Sequence, residues 1–440
     1  MKDKRLGVAS IVAAALVATS LTACGGGSSA QSKASDNAGS EAGGAKKVVK
    51  YMTWESAETN TIFDEVVEEL WDDPDVTIER VNAPSGDYGD KLGSLAQAQN
   101  LPDIFWCGND TAIQYSQLGI LVDWTSYLQG KMTPESLGGL ERWTTDNGIG
   151  GVPSLRNVFG VWYNADLFEE NGVPLPESGW NWDDLYSAAG ALTGAGGSNF
   201  GLTTDMYVTL DGPFAMGTYS VSSGGQGIVN DVNAPTTVQA DEYYVEGVTK
   251  LRDAIAAGYV APPDYDVSNT TSLFAAGSQP MMIGGQWQAQ ALTNDAPDVN
   301  WAWVPLPHEK IKTTLYDAIG MCTPTTTAST DDTYKVVEFL NTEVIPEVMS
   351  RTPVAPPAFQ PGQQAYFDSL EEMGATSVIE TLEYSLNADE YVSLRLTTPY
   401  ASQANDLTVA TYLPILKGDK PVSDLSTYVD QFQALVDANQ

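Results

Sequence analysis

The sequence predicts an α/β protein whose folded body has two lobes and a ligand cleft between them. Short β-prone runs alternate with helical patterns, which is typical of parallel-rich sheets flanked by helices. Residues 48–440 exceed what one hydrophobic core usually fills, yet no linker-like stretch interrupts them. Two domains without a visible boundary indicate that the chain crosses between them more than once, leaving a cleft beside hinge strands.

Residues 1–23 are predicted to be an export signal. A basic start precedes the apolar stretch Leu6–Leu21, which is too short and too rich in alanine to be preferred as a permanent membrane span. The stretch ends in LTAC, which resembles the lipobox of bacterial lipoproteins and implies that Cys24 becomes a lipid-carrying N-terminus. The alternative is an ordinary cleaved signal with a chance cysteine.

Residues 24–47 are predicted to form a flexible tether, because their Gly, Ser and Ala cannot bury enough apolar surface to offset chain entropy. The folded body would then stand off a membrane surface. The chain has 57 acidic and 21 basic residues and a net charge of −36, which repels nucleic acid and phosphorylated ligands. This acidity excludes a nucleic-acid function and suits the solubility of an exported protein.

The strands are predicted from apolar or β-branched runs that end at turn residues. In chain order they are Lys47–Thr53, Val76–Val81, Asp103–Trp106, Asn157–Tyr163, Met281–Gly284 and Asn300–Val304.

The helices are predicted from apolar residues spaced three and four apart and from acidic first turns. In chain order they are a helix carrying Ile62, Val66, Val67 and Leu70, then Asp90–Gln99, Asn164–Phe168, Trp182–Leu192, Tyr243–Ala257, Thr333–Leu340, Tyr366–Leu386 and Gln403–Lys417.

Catalytic chemistry has little support in the sequence. The one histidine, His308, lies between prolines and a lysine-rich turn, which argues against a catalytic triad and a conventional zinc site. No phosphate-binding loop motif follows a strand, so we expect no cofactor and no metal. The 57 acidic residues could still supply a carboxylate pair, which leaves an extracytoplasmic glycoside hydrolase as the alternative function.

Aromatic and polar residues follow several predicted strands. Ligands of open α/β sheets bind beyond the carboxyl ends of the strands. Sugars are held by rings laid on their apolar faces and by carboxylates and amides aimed at their hydroxyls. The strand-end candidates are Trp54, Glu55, Trp106, Asn109, Asp110, Asp205, Tyr207 and Trp287. Trp162 and Trp301 lie inside strands and are interpreted as core or rim packing.

Two further cysteines, Cys107 and Cys322, are too few for a disulfide framework. In an oxidising compartment they could form one bridge, and isolated buried thiols are the alternative.

Three stretches stand out: LPDIFWCGNDTAIQYSQLGILVDW, GVWYNADLFEENGVPLP with WNWDDLYSAAGALT after it, and LFAAGSQPMMIGGQW. They resemble the family 1 extracytoplasmic solute-binding proteins, the sugar-type receptors of ABC importers, and the first is close in form to the maltose-binding members. The resemblance spans roughly residues 47–440 and keeps the family's order of stretches.

The resemblance implies a periplasmic-binding-protein-like fold of the class II type, a monomer that closes on an oligosaccharide and hands it to a membrane permease without altering it. We expect lobe I to contain residues 48–155 and 314–355, and lobe II to contain residues 156–313 and 356–440. The expected hinge segments are Leu155–Val158, Thr313–Asp317 and Pro353–Pro357.

The resemblance also suggests roles for the strand-end residues. Trp106 and Asp110 match a sugar-contacting tryptophan and aspartate. The match of Asp110 requires one inserted residue between it and Trp106, so Asn109 is an alternative for the same role. Trp287 matches a stacking tryptophan. Asp205 and Tyr207 match an acid and a tyrosine of the second lobe less securely.

Two departures bear on the ligand. Arg156-Asn157 stands where the maltose-binding members have an acid, so Asn157 joins the candidates, and LRLTTPYASQAND lacks an expected tryptophan. These departures argue against maltose itself, and a neutral oligosaccharide remains the favoured ligand. A receptor for anionic solutes would need a basic cluster, whereas Arg156, Arg351 and Arg395 are scattered in sequence. A surface adhesin or scaffold without a small ligand is a third possibility.

Overall fold

The computed structural model describes residues 46–83, 88–204, 212–266 and 270–440. Several sequence predictions fall outside these ranges: the export signal, the lipidation site Cys24, nearly all of the tether, and the candidate ligand residues Asp205 and Tyr207. No helix within the described ranges is both long and apolar enough to cross a bilayer.

The predicted strands are confirmed, and two of the observed strands are long. The strands are β1 (Lys47–Met52), β2 (Val76–Arg80), β3 (Ile104–Gly108), β4 (Thr144–Thr145), β5 (Gly148–Ile149), β6 (Val152–Asn164), β7 (Leu202–Thr204), β8 (Met281–Gly285), β9 (Trp301–Pro305), β10 (Thr313–Cys322) and β11 (Glu390–Ser393).

The helices begin at polar caps in several places. The Ser56 side chain accepts from the Thr59 amide, and Asn181 and Asp184 form a reciprocal capping box. The helices are α1 (Ala57–Leu70), α2 (Tyr88–Gln97), α3 (Asn109–Gln117), α4 (Ala165–Glu170), α5 (Trp182–Leu192), α6 (Gly217–Ser223), α7 (Glu242–Ala256), α8 (Thr270–Ala275), α9 (Gln288–Asp295), α10 (Thr330–Phe339), α11 (Ile345–Arg351), α12 (Gln364–Glu372), α13 (Thr376–Leu386), α14 (Ala401–Leu407), α15 (Leu413–Leu416) and α16 (Leu425–Asp437).

One predicted helix is wrong in extent. Tyr366–Leu386 is not continuous, because Gly374 adopts a left-handed conformation with φ of +71° and separates α12 from α13. Elsewhere short π-helical segments join neighbouring helices: Leu340–Val344 connects α10 to α11, and Thr408–Tyr412 connects α14 to α15.

The main sheet has the strand order β2-β1-β3-β10-β6-β8-β7, with β11 paired to β10 and β9 paired to β6. The parallel pairing expected from the strand-helix rhythm occurs between β1 and its neighbours β2 and β3, between β7 and β8, and between β10 and β11. The two long strands are antiparallel to each other, and each has further antiparallel partners. The fold is therefore mixed α/β, with β6 and β10 in the middle of the sheet.

Two hydrophobic cores flank this sheet. The first gathers residues around β1 and β3 with α1, α10 and α11 and continues through Trp162 and Trp303 to α9, α12 and α13. The second gathers residues around β7 and β8 with α5, α7 and α16. Trp162 is fully buried and stacked on Trp303 at 5.3 Å, so its interpretation as core is confirmed.

The three segments expected as hinges lie side by side. Val158 and Asn157 of β6 pair with Tyr316 and Asp317 of β10. The third segment runs along the same part of β6, where the Arg156 amide donates to the Pro356 carbonyl at 3.1 Å. Strand β6 then continues from Phe159 to pair with β8 and β9.

Cys107 and Cys322 form a disulfide, with their Cα atoms 6.0 Å apart. Both are buried in the first core, and the bond joins β3 to β10. Of the two alternatives that the sequence left open, the bridge is the one observed.

Candidate binding site

The ends of β3 and β8 point toward each other along the middle of β6. Gly108, at the end of β3, pairs with Ile319 of β10, which pairs with Leu155 of β6. Gly285, at the end of β8, pairs with Phe159 of the same strand. At about 3.3 Å per residue, the spacing from Leu155 to Phe159 separates the two strand ends by about 13 Å along the strands, and the three strand spacings from β3 to β8 separate them by about 14 Å across the sheet. Side chains that leave these ends can therefore face one extended ligand from both sides.

Trp54 and Trp106 lie at the end shared by β1 and β3. The Trp106 side chain is 1% exposed and packs edge-on against Trp54 at 5.5 Å and Phe63 at 5.8 Å. The Tyr88 hydroxyl donates to the Trp106 carbonyl at 2.6 Å. Trp54 is only partly buried. At this end Trp54 is therefore the indole with accessible surface, and Trp106 supports it from within the core.

Glu55 follows Trp54 and is half-buried. Burial raises the pKa of its carboxyl group to about 7. The Asn60 amide donates to the Glu55 carbonyl at 2.8 Å and fixes the backbone at this turn. At neutral pH the carboxyl group is divided between its ionised and protonated forms, so it can accept from hydroxyl groups or donate to them.

Asn109 and Asp110 begin α3, directly after β3, and both are half-buried. The Asp110 carboxylate folds back over Gly108, where an added Cβ atom would lie 2.3 Å from its Oδ1. A glycine at a strand end favours close approach of the chain to a ligand, but the neighbour that Gly108 accommodates is Asp110. The carboxylate therefore lies over the end of β3.

A cluster of charges that the sequence did not predict surrounds Asp110. Arg395 Nη1 lies 3.4 Å from Asp110 Oδ2, and Arg395 Nη2 lies 3.7 Å from Oδ2 of Asp317 in β10. Burial raises the pKa of Asp317, the Arg395 guanidinium opposes this shift, and the Asp110 carboxylate adds to it. Two acids therefore share one guanidinium at the end of β3.

Trp287 lies at the facing strand end, between β8 and α9. It is half-buried and packs edge-on against Phe159 at 5.4 Å. Its ring covers Gly285, where an added Cβ atom would come within 1.9 Å of Trp287 Cζ3. Glycine at this position therefore allows the indole to lie across the end of β8.

Asn157 is buried and is joined to the residue before Trp287. The Gln286 Nε2 atom donates to Asn157 Oδ1 at 2.8 Å and to the Val354 carbonyl at 3.3 Å, while Gln286 Oε1 accepts from the Val158 amide at 3.1 Å. One fully buried amide thus connects the turn that carries Trp287 with two of the segments expected as hinges.

Residues 53–344 match the bacterial extracellular solute-binding proteins. The chain belongs to this family. A binding protein of Brucella abortus (strain 2308) is 25% identical to this solute-binding protein over 267 residues, which cover 57% of this chain and 61% of the relative. A binding protein of Brucella suis biovar 1 (strain 1330) has the same values. The chain thus spans about 61% of the length of the curated relatives it matches.

Solved structures of two-lobed binding proteins share the fold. An ABC substrate-binding protein of Listeria monocytogenes in complex with cycloalternan has a TM-score of 0.73 at 22% identity, covering 89% of this chain and 99% of that one. A cyclic alpha-maltosyl-1,6-maltose binding protein of Arthrobacter globiformis has a TM-score of 0.71 at 18% identity, covering 90% and 100%. These similarities confirm the predicted two-lobed class of the solute-binding protein.

Two surface grooves formed by described residues of the solute-binding protein lie away from the strand ends. One of about 620 Å³ lies between α1 and β2 and includes Tyr51, Trp71 and Arg80. Another, of about 320 Å³, is formed by α7 and α16. Neither includes a strand-end candidate, so the candidate site rests on strand geometry and side-chain chemistry.

Sequence reasoning missed Gln286, Asp317 and Arg395. Gln286 stands next to Trp287 in MMIGGQW, and Asp317 lies in a predicted hinge segment, so both had a local signal. Arg395 had none, because it lies 285 residues from Asp110 in the chain. Asp205 and Tyr207 lie outside the described residues of the solute-binding protein.

Proposed function

We propose that this solute-binding protein is the receptor of an ABC importer, which binds a neutral oligosaccharide between two lobes and delivers it unaltered to the permease. One observation carries the proposal: the partly exposed indoles of Trp54 and Trp287 stand at facing strand ends, with the Asp110 carboxylate beside the strands between them. Rings and carboxylates in this arrangement suit the apolar faces and hydroxyl rims of sugars.

The proposed contacts differ in role. Trp54 and Trp287 stack on sugar faces, and Asp110 or Asn109 accepts from hydroxyl groups. The burial of Trp106 and Asn157 supports roles behind the contacting surface. The full proposed set is Trp54, Glu55, Trp106, Asn109, Asp110, Asn157, Asp205, Tyr207 and Trp287.

The proposed mechanism is lobe closure. Lobe I comprises residues 48–155 and 314–355, and lobe II comprises residues 156–313 and 356–440, with the hinges at the three adjacent segments near Arg156, Asp317 and Pro356. A ligand that contacts both lobes favours the closed form by its difference in affinity between the two states. The permease then recognises the closed form.

The ligand class has independent support in the solved relatives. The Listeria protein is in complex with cycloalternan, and the Arthrobacter protein is named for cyclic alpha-maltosyl-1,6-maltose. Both names describe oligosaccharides, so we extend that class, though neither particular sugar, to this chain.

The cellular setting is also part of the proposal. The extracellular description of the family supports export, and the LTAC stretch supports a lipid anchor at Cys24 on the outer face of the cell membrane. Mass spectrometry of the protein from the membrane fraction should detect an acylated N-terminal Cys24. Release of the protein into the medium, with an unmodified N-terminus, would contradict the anchor.

The decisive experiment for the function is a thermal-shift screen of the purified protein against neutral di- to pentasaccharides, followed by calorimetry. A sugar present at 100 times its Kd should stabilise the fold by about 2.7 kcal/mol. The same mixtures are then analysed for cleavage products. Cleavage of a bound sugar would favour the hydrolase instead, and the absence of any shift across the panel would favour an adhesin or scaffold.

A further inference from the structure

Helix α3 contacts the second core at both of its ends. At its beginning Asp110 lies 3.4 Å from Arg395, and at its last residue the Gln117 side-chain amide donates to the Asn233 carbonyl at 3.3 Å. Asp110 and Gln117 are seven residues apart, which places them on one face of the helix. One face of α3 is therefore directed toward Arg395 and Asn233.

The two sides of this contact belong to different cores. Ala112 of α3 is fully buried in the first core, and α3 follows β3, which the disulfide joins to β10. Leu394 and Leu396, on either side of Arg395, pack in the second core or against it, as does Val232 beside Asn233. The Asp110–Arg395 pair therefore connects two separately packed parts of the protein.

The segments facing α3 are themselves tied together. The Thr397 amide donates to the Val232 carbonyl at 3.1 Å, and the Thr397 hydroxyl donates to Asn233 Oδ1 at 2.7 Å. Arg395 thus lies on a segment that these hydrogen bonds hold in place, and its side chain also approaches Asp317 of β10. A shift of α3 relative to the segment that carries Arg395 would change the Asp110–Arg395 distance.

We propose that Arg395 is a positioning residue of the binding site, which holds the Asp110 carboxylate and with it α3 against the second core, and so lowers the free energy of the closed arrangement. This inference rests on the proposed function and deepens it. In it, one electrostatic contact determines both the orientation of a ligand acceptor and the equilibrium between the open and closed forms. Loss of the contact therefore shifts the equilibrium between the open and closed forms toward the open form.

The electrostatics give the inference a distinctive signature. The side chains of Arg395, Asp110 and Asp317 are 40%, 22% and 23% exposed, so dissolved salt can weaken the cluster. A planar guanidinium can face both carboxylates at once, whereas an ammonium is a point charge. Removal of Arg395 leaves two neighbouring carboxylates that repel each other. The effect should therefore depend on salt and should be partly restored by lysine.

The test compares the mature full-length protein with Arg395→Ala, Arg395→Lys and Arg395→Gln in solution without sugar. Small-angle X-ray scattering at about 20 mM and about 500 mM NaCl, which span weak and strong screening, reports the radius of gyration. At low salt we expect the radius of gyration of Arg395→Ala to be larger than that of the wild type, and that of Arg395→Lys to lie between them. High salt should increase the radius of the wild type and leave that of Arg395→Ala unchanged. Affinity for cycloalternan and maltotriose, by calorimetry, should fall about three- to tenfold in Arg395→Ala for whichever sugar binds.

The matched control is Arg351→Ala. Arg351 pairs with Glu69 at 2.7 Å and with Glu347 at 2.8 Å, and the neighbours Met349 and Val66 lie in the first core. This variant also loses one exposed arginine, but no contact between the cores. It should match the wild type in radius and in salt response.

An identical radius for wild type and Arg395→Ala at both salt concentrations would overturn the inference, even if sugars bind. If no sugar binds the wild type, the proposed function fails, while the scattering comparison still decides whether Arg395 controls closure. Should Arg395→Ala not fold, the salt responses of the wild type, Arg395→Lys and Arg395→Gln decide the same question.

Discussion

The buried amide of Gln286 donates a 2.8 Å hydrogen bond to Oδ1 of Asn157. Gln286 immediately precedes Trp287, and Asn157 pairs with Asp317 in the two long strands. An indole at the strand end is therefore connected to the strands about which we propose the lobes to move. This link between a proposed ligand contact and a proposed hinge is the basis of the first prediction.

A double-mutant cycle on Gln286→Met and Asn157→Ala should show coupling. The amide pair is buried, so the loss of one partner leaves the other without its hydrogen bond. We therefore expect the effects on the free energy of unfolding to be coupled by about 0.5–3 kcal/mol. Urea denaturation of the four proteins measures it. Strictly additive effects would mean that the two side chains do not act together.

Trp287→Ala should weaken sugar binding by about 1–3 kcal/mol, because the variant loses one stacking ring. Calorimetry with the best sugar from the thermal-shift screen measures the loss. Trp301→Ala is the matched control: this half-buried indole packs against Trp162 at 5.5 Å and pairs with Asn164, at the opposite end of β6 from the hinge segment. The control should lose stability and keep its affinity, and unchanged affinity in Trp287→Ala would remove that residue from the site.

Substitutions of Trp54 and Trp106 should affect sugar affinity and stability to different extents. Trp106 is 1% exposed, so Trp106→Ala should lower the free energy of unfolding by about 3–5 kcal/mol. Trp54 is partly exposed, so Trp54→Ala should cost less stability and should reduce sugar affinity directly. Parallel urea denaturation and calorimetry distinguish these outcomes. Full affinity in Trp54→Ala would argue against a ligand contact there.

Glu55 should make the protein less stable as the pH rises toward neutrality. Burial raises the pKa of Glu55 from 4.5 to about 7 in the folded state. Between these values the folded state holds a proton that the unfolded state has lost, so the stabilising contribution is complete below about pH 4.5 and is lost as the pH rises through about 7.

Glu55→Gln should therefore remove part of the fall in unfolding free energy between about pH 4.5 and 8, by about 1–3 kcal/mol. Some slope should persist, because burial also raises the pKa of Asp317. Urea denaturation across this range, with the exposed Glu58→Gln as control, measures the difference. Parallel curves for wild type and Glu55→Gln would contradict a buried, proton-holding carboxyl group.

The disulfide should contribute strongly to stability. Replacing both Cys107 and Cys322 by serine should lower the free energy of unfolding by about 2–5 kcal/mol, since the bond closes a long loop between β3 and β10. Reductant should destabilise the wild type and leave the serine variant unchanged. Equal stability of the two proteins under oxidising conditions would show that β3 and β10 hold together without the bond.

Local sequence patterns predicted the six strands that are apolar runs ending at turn residues, but they missed β10 and the first residues of β6. The same patterns failed at Gly374, where one left-handed residue divides a helix that the apolar spacing continued through. They also could not tell which indole of the first strand end is accessible. Trp106 lies within the run that forms β3, whereas Trp54 follows the end of β1. Only the tertiary packing, which leaves Trp106 1% exposed beside Phe63 and Trp54 partly exposed, shows which ring is enclosed.

The sequence by itself determined the alternation of strands and helices, the family, and the positions of Trp54 and Trp287 after strands, since all of these depend on neighbours in the chain. The tertiary structure alone decided that Cys107 bonds to Cys322, that Gln286 joins Asn157, and that Arg395 meets Asp110 from 285 residues away. The physical reason is that hydrophobic periodicity is a local property, whereas the pairing of charges, amides and thiols depends on which distant segments folding brings within a few ångströms.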